Sequence, residues 1–283
     1  MMSARSYLYV PGNAPEKLAK ACGRGADALI VDLEDAVPHA GKPAARAAVA
    51  DWLAQGPSGP EIWVRVNPGP AGHADARAVI GPALTGLSVA KAESAAEIEV
   101  LASLLDDAEA IAGLASGTIA LMPLLESGAA VFQARAIARA PRVTRLQLGE
   151  ADLAADLGIT PGPEGMELLW ARSLVVAASA AAGIAPPVAP VSVEVRDLAA
   201  FRQSTEALAR LGFVGRACVH PAQVPVAREV FTPSAEALDA ARSLLARYEQ
   251  ALATGTAVCL DEAGRLVDEA VVRSARRVVG MAG

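Results

Sequence analysis

Five apolar runs in this chain of 283 residues each end on charged side chains. They read ALIVDLED (Ala28–Asp35), IWVRVN (Ile62–Asn67), LSVAKAE (Leu87–Glu93), IALMPLLE (Ile119–Glu126) and LQLGEAD (Leu146–Asp152). The residues able to do chemistry there are the acids Glu34, Asp35, Glu126 and Asp152 and the cations Arg65 and Lys91. An acid that follows directly on aliphatic residues is costly to bury unpaired. Glu126 and Asp152 are therefore candidate metal ligands, because magnesium is usually held by one or two carboxylates completed by water and substrate oxygens. The competing expectation is that each pairs with an arginine at the same rim. Arg65 offers a planar fork suited to a carboxylate, or to an oxygen that gains charge during reaction. Its alternative is a salt bridge to Glu34 or Asp35. Lys91 is a second candidate for binding an anionic substrate, with a structural ion pair as its alternative. Asp32, Glu34 and Asp35 lie so close together that they must diverge or share a cation. Asp32 is expected to turn toward the interior or a neighbouring strand. Glu34 and Asp35 then reach the mouth, as a base or as holders of a water on the ion.

Elements of a definite kind must hold these residues. A near-continuous apolar run is the pattern of a strand buried on both faces. Charges gather at the carboxyl ends of parallel strands when those ends build an active site. Strands are expected at SYLYVPG, ALIVDLED, IWVRVN, LSVAKAE, TIALMPLLE, RLQLGEAD, PVSVEV and ACVHPAQ. Helices are expected at PEKLAKACGRGA, around 42–53, from Ser94 with Glu97 at the capping-box position, and over 129–140, 164–183 and 198–211. Eight strand-then-helix units predict an α/β fold, a (β/α)8 TIM barrel, over residues 1–232. A doubly wound sheet is the competing architecture, but no GxGxxG follows the first strand. Residues 233–283 form a C-terminal helical extension: a helix over 235–253, a hairpin-like GTAVCLDEAGRLVD, and a last helix over 269–279. The extension is surplus to a barrel, so it is expected to cap it or to contact a neighbouring subunit.

Composition narrows the function classes. Hydrophobic residues are 53% of the chain and aromatics only 4%, so the core must be built from Ala, Val, Leu and Ile. A net charge of −6 argues against a nucleic-acid partner. The N-terminus MMSARSYLYVPGN lacks the apolar stretch of a signal peptide, and no run reaches the roughly 18–20 apolar residues of a membrane span. Cys22, Cys218 and Cys259 make no CxxC, so neither a zinc site nor a disulfide framework is expected. A cytoplasmic location follows from this reading. His39 and His73 are expected in polar, solvated loops. His220 ends the eighth strand, either at the mouth or in a His-Pro turn satisfied by backbone. No Ser-His-Asp or Cys-His order and no P-loop stands out.

Taken together, RSYLYVPGNAPEKLAKA, GADALIVDLEDAV, VRVN, the Glu126 strand, LGEADLAADLG and GFVGRACVHPAQV followed by VFTPS resemble one family. It is the HpcH/HpaI aldolase, citrate lyase beta-subunit and malyl-CoA lyase family of magnesium-dependent CoA-ester lyases. The resemblance runs from Arg5 to about Ala253, with a further match in GRLVDEAVVRSARRV. It implies a (β/α)8 barrel assembled as a homo-oligomer, a trimer or hexamer. It implies Mg²⁺ on Glu126 and Asp152, Arg65 on the acyl oxygen or a carboxylate, and Glu34 with Asp35 completing the polar surroundings. Asp268 matches a tail acid that malyl-CoA-type members insert into a neighbouring subunit's site, where it would act as general acid. Its other reading is an N-cap for the last helix. The implied reaction cleaves a 3-hydroxyacyl-CoA of citryl, malyl or citramalyl type to acetyl-CoA and a 2-oxo acid. Two alternatives stand beside it: an aldolase acting on a free 2-keto acid without CoA, and a subunit of a multi-protein citrate lyase that is inactive alone. The chain departs from the family pattern at Ala14, where an Arg is frequent, at Ser127-Gly128, and at Ala189-Pro190. These departures bear on the pocket or the acyl carrier and leave the metal pair untouched.

Overall fold

The apolar runs become strands whose side chains alternate between two hydrophobic environments. The computed structural model describes residues 4–281. Strands β1 (Ser6–Pro11), β2 (Ala28–Asp32), β3 (Glu61–Val66), β4 (Gly86–Val89), β5 (Ala120–Leu125), β6 (Gln147–Leu148) and β7 (Arg216–Cys218) form one parallel sheet. Its order is β6-β5-β4-β3-β2-β1-β7. The edges β6 and β7 are joined by two residues, Val188 bridging Gln147 and Ala189 bridging Arg216. The sheet therefore closes into a (β/α)8 barrel whose seventh strand is reduced to that pair.

Residues two apart in a strand share a face. Tyr7, Ala28, Ile30, Trp63, Met122, Val188 and Ala217 pack together inside the barrel. Leu8, Val10, Leu29, Val31, Ile62, Val64, Leu87, Leu121 and Leu148 pack outward against the helices. Those helices are α1 (Pro15–Ala21), α2 (Lys42–Ala54), α3 (Gly69–Val79), α4 (Ala95–Ile111), α5 (Gly128–Phe132), α6 (Ala134–Ala138), α7 (Glu150–Leu157), α8 (Leu169–Ala182), α9 (Leu198–Leu211) and α10 (Gln223–Val230). Helix α4 begins where the sequence places it, with the Ser94 hydroxyl accepting from the Glu97 N–H. The Glu97 carboxylate reaches back to the Glu93 N–H at 3.0 Å.

Three expectations are corrected. The seventh strand is not PVSVEV: pairing occurs at Val188–Ala189, just before it. Pro190 has no N–H to continue a ladder, and residues 191–195 form no strand. The helix expected over 129–140 divides at Gln133 into α5 and α6. His73 lies on helix α3 rather than in a loop.

Residues 4–228 form one compact unit and residues 229–281 another. In the second, α11 (Ala235–Ala253) is followed by the hairpin β8 (Cys259–Leu260) and β9 (Leu266–Val267), then by α12 (Glu269–Gly280). Tyr248, Val267 and Val272 are the buried residues at its centre. Among the described residues, no helix is long and apolar enough to cross a membrane.

Candidate active site

Strand parity explains why these charges meet. Asp32 shares a face with Ala28 and Ile30, Arg65 with Trp63, and Glu126 with Met122, so all three continue the inward rows to the carboxyl ends of their strands. Asp32 and Arg65 are paired across β2 and β3 by register. The Arg65 fork closes on the Asp32 carboxylate, Nε to Oδ1 and Nη2 to Oδ2 at 2.7 Å each. Its guanidinium carbon lies 5.2 Å from the centre of the Tyr9 ring, within cation–π range. Burial pushes the Tyr9 phenol up to about 12. Burial opposes the charge on Arg65, but the Asp32 hydrogen bonds and the surrounding negative charge outweigh it, so Arg65 holds its proton more firmly than usual.

Asp32 also shapes the turn that follows it. Its Oδ1 accepts from the Glu34 N–H at 2.9 Å and its Oδ2 from the Ala36 N–H at 3.1 Å. The turn presents Glu34 to Arg65 Nη1 at 3.1 Å and Asp35 to the same nitrogen at 3.6 Å. Lys91 Nζ pairs with Glu34 and stands 3.5 Å from Asp35. Burial raises the Glu34 carboxyl above its ordinary value, against the pull of Lys91 and Arg65. Asp35 is also penalised by burial, but the Glu34 hydrogen bond and the two cations hold it below its ordinary value. Lys91 loses some of its charge preference to burial and regains more from Glu34 and Asp35, so its ammonium is held above the usual range.

Glu126 directly follows β5 and is 5% exposed. Its Oε2 accepts the backbone N–H of Lys91 at 2.7 Å. Lys91 adopts φ 51°, a left-handed conformation uncommon for a residue with a side chain. The carboxyl of Glu126 is pushed up to about 7, chiefly by burial and further by the charge of Asp152, against the Lys91 N–H bond. Asp152 is half-buried in the first turn of α7, where a helix favours negative charge. Gly149, which precedes α7, lies against Glu126: a Cβ there would stand 2.5 Å from Glu126 Cγ. Neither Glu126 nor Asp152 has a salt bridge to a cationic side chain among the described residues. Among those residues, no three His, Cys, Asp or Glu side chains group as a complete metal cage. Two close carboxylates, one of them destabilised by burial, fit a hard divalent cation that takes its remaining oxygens from water and substrate.

The remaining candidates are placed as follows. Asp268 caps α12, its Oδ1 accepting from the Ala270 and Val271 N–H groups at 2.9 and 3.1 Å. His220 Nδ1 accepts from the Ala222 N–H at 3.2 Å, the backbone-satisfied turn. His39 is exposed in a short helical turn. At the departures from the family pattern, Ala14 precedes α1 without a side-chain cap. Ser127 caps α5 and donates to Glu93 at 2.8 Å. Ala189 belongs to the reduced seventh strand. Sequence reasoning did not single out Asp32 as the partner of Arg65, the Lys91 backbone, or Gly149. The period-two pattern of ALIVD did carry the signal for Asp32, since it places Asp32 on the face of Ile30.

The model of the family described as HpcH/HpaI aldolase/citrate lyase matches residues 5–221. The chain belongs to the HpcH/HpaI aldolase/citrate lyase family. The citrate lyase subunit beta of Leuconostoc mesenteroides subsp. cremoris is 34% identical, covering 98% of this chain and 93% of that protein. The L-malyl-CoA/beta-methylmalyl-CoA lyase of Rhodobacter capsulatus is 32% identical, covering 98% of this chain and 94% of that protein. Among solved structures, CitE from Mycobacterium tuberculosis in complex with magnesium, acetoacetate and coenzyme A is similar with a TM-score of 0.79 at 30% identity. That match covers 100% of this chain and 98% of the other.

Proposed function

We propose that the chain is a magnesium-dependent carbon–carbon lyase that cleaves a 3-hydroxyacyl-CoA to acetyl-CoA and a 2-oxo acid. The observation that carries this reading is the Glu126–Asp152 carboxylate pair at the barrel's carboxyl rim, beside Arg65, in a member of this family. The relatives support it: one is named a malyl-CoA lyase, one a citrate lyase subunit, and the similar structure holds magnesium and coenzyme A.

In this reading Glu126 and Asp152 hold the ion. Bound magnesium supplies Lewis-acid polarisation of substrate oxygens. The chain's own residues do the rest. Arg65 is locked by Asp32 along one edge, so its Nη1 edge is the one that meets the thioester oxygen as negative charge develops there. Asp35, the more loosely held partner at 3.6 Å, gives way to the substrate first. Glu34 keeps Arg65 and Lys91 in place, and Lys91 steers the anionic substrate. As the 3-hydroxyl proton is lost to water, the carbon–carbon bond breaks to give the 2-oxo acid and the acetyl-CoA enolate, and Asp268 of a neighbouring subunit delivers a proton to the enolate carbon. The same reading makes the protein a homotrimer or hexamer in the cytoplasm, a reducing compartment with which three free cysteines agree.

Two experiments test it. A scan of citryl-, malyl- and citramalyl-CoA with magnesium is expected to release acetyl-CoA from at least one. Cleavage of a free 2-keto acid instead, or activity only with added partner subunits, would replace the reading. Mixing Asp268→Asn with Arg65→Ala protein restores activity if the site is shared between subunits; absence of rescue removes that role from Asp268.

A further inference from the structure

Behind the acid turn lies a fully buried carboxylate to which the proposed chemistry assigns no part. Asp75 on α3 is 0% exposed. A buried charge survives only when paired and hydrogen-bonded, and each oxygen of Asp75 is engaged. Oδ1 accepts from Arg46 Nε of α2 at 2.6 Å. Oδ2 accepts from both the backbone N–H and the side-chain amide of Asn67, at 3.1 and 2.7 Å. Asn67, two residues beyond Arg65 and itself 4% exposed, passes this constraint on. Its Nδ2 also donates to the Leu33 carbonyl at 2.9 Å, and its Oδ1 accepts from Lys42 Nζ. Helix α3 can lie this close because its residue 72 is glycine: a Cβ there would stand 1.8 Å from the Asn67 carbonyl oxygen.

Leu33 is the residue between Asp32 and Glu34. Its N–H donates to the Arg65 carbonyl at 3.0 Å while its carbonyl is held by Asn67, so the end of β3 grips both of its backbone groups. With Asp32 accepting from Glu34 and Ala36, the turn is fixed from inside the barrel and from behind. The geometry points to Asn67 and Asp75 as positioning residues that set the turn bearing Glu34 and Asp35, and through it the acids facing Arg65 and Lys91. Neither residue needs to touch substrate for this. The catalytic consequence rests on the lyase reading; the control of the turn does not.

The test is hydrogen exchange, comparing peptides covering residues 32–37 with peptides covering 88–93, in Asn67→Ala and Asp75→Asn proteins that melt cooperatively. Asn67→Ser is the milder substitute if either fails to fold. The expected result is roughly tenfold faster exchange in the turn with the 88–93 segment unchanged, because local opening need not follow global unfolding. In the same proteins kcat/KM for the thioester should fall roughly 10–100-fold, as for other residues that orient a reacting group. Unchanged exchange in the turn, or equal acceleration in both segments, overturns the inference. A loosened turn with unchanged kcat/KM overturns its catalytic consequence. If the unsubstituted protein cleaves no thioester, the lyase reading fails, and the exchange comparison alone still decides whether Asn67 and Asp75 set the turn.

Discussion

Arg65 grips the Asp32 carboxylate at both of its oxygens, 2.7 Å each, with Asp32 2% exposed and Arg65 9% exposed. The pair forms because β2 and β3 stand in register and both residues lie on the inward row. It leaves a single guanidinium nitrogen, Nη1, facing Glu34 and Asp35.

Breaking a buried pair by neutralising one partner leaves an uncompensated charge. Asp32→Asn is expected to lower the unfolding free energy by about 3–5 kcal/mol, and Arg65→Lys to fall short of wild type because a single ammonium cannot bind at two points. Denaturant titration of the metal-free protein measures both. A loss below about 1 kcal/mol for Asp32→Asn would mean the pair is surface-like in strength.

Lys91 serves the site with its backbone as well as its side chain. A non-glycine residue in the left-handed region carries about 1–2 kcal/mol of strain, whereas glycine elsewhere is usually about 0.5–1 kcal/mol worse than alanine. At this position the usual order is expected to vanish or reverse, with Lys91→Gly at least as stable as Lys91→Ala. Both lose the ammonium beside Glu34 and keep the N–H that Glu126 accepts. Thermal melts of the two variants decide; a clearly less stable glycine variant would show that φ 51° carries no strain here.

How much of this could be read from the sequence depends on the kind of contact. The strands, their carboxyl-end charges and the barrel were legible because burial on both faces forces continuous apolar runs. The seventh strand was misplaced because two paired residues, Val188 and Ala189, leave no periodic trace, while PVSVEV carries the β-branched pattern without the pairing. Within the site, Glu126, Asp152 and Arg65 stood out by type and position. Gly149 did not, because a glycine needed for close approach to Glu126 looks like any turn glycine until the neighbour is known. Asn67 and Asp75 were invisible for a similar reason: their bonds join residues 33, 67 and 75 only after α3 has folded back.

Burial pushes the Glu126 carboxyl up to about 7 in the folded chain, from an ordinary value of 4.5. Between those values the native state holds more protons than the unfolded state, so stability falls as pH rises. This contribution is fully present below the unfolded value and is lost as pH rises through about 7. Metal-free protein should therefore lose stability between about pH 5 and pH 8, and Glu126→Gln should flatten that slope. Magnesium takes the charged form, so the stabilisation it adds should grow over the same interval. Calorimetric melts across that interval check the sign. An unaltered slope in Glu126→Gln would assign the titration to another group.

Acetyl-CoA release from a cleavable 3-hydroxyacyl-CoA, followed with and without magnesium in wild type, Glu126→Gln and Asp152→Asn, bears most directly on the proposed chemistry. Wild type should be active only with the metal, and each variant should remain folded while losing at least roughly 100-fold of that turnover. Metal-independent cleavage, or full activity in either variant, would contradict a magnesium site built on Glu126 and Asp152.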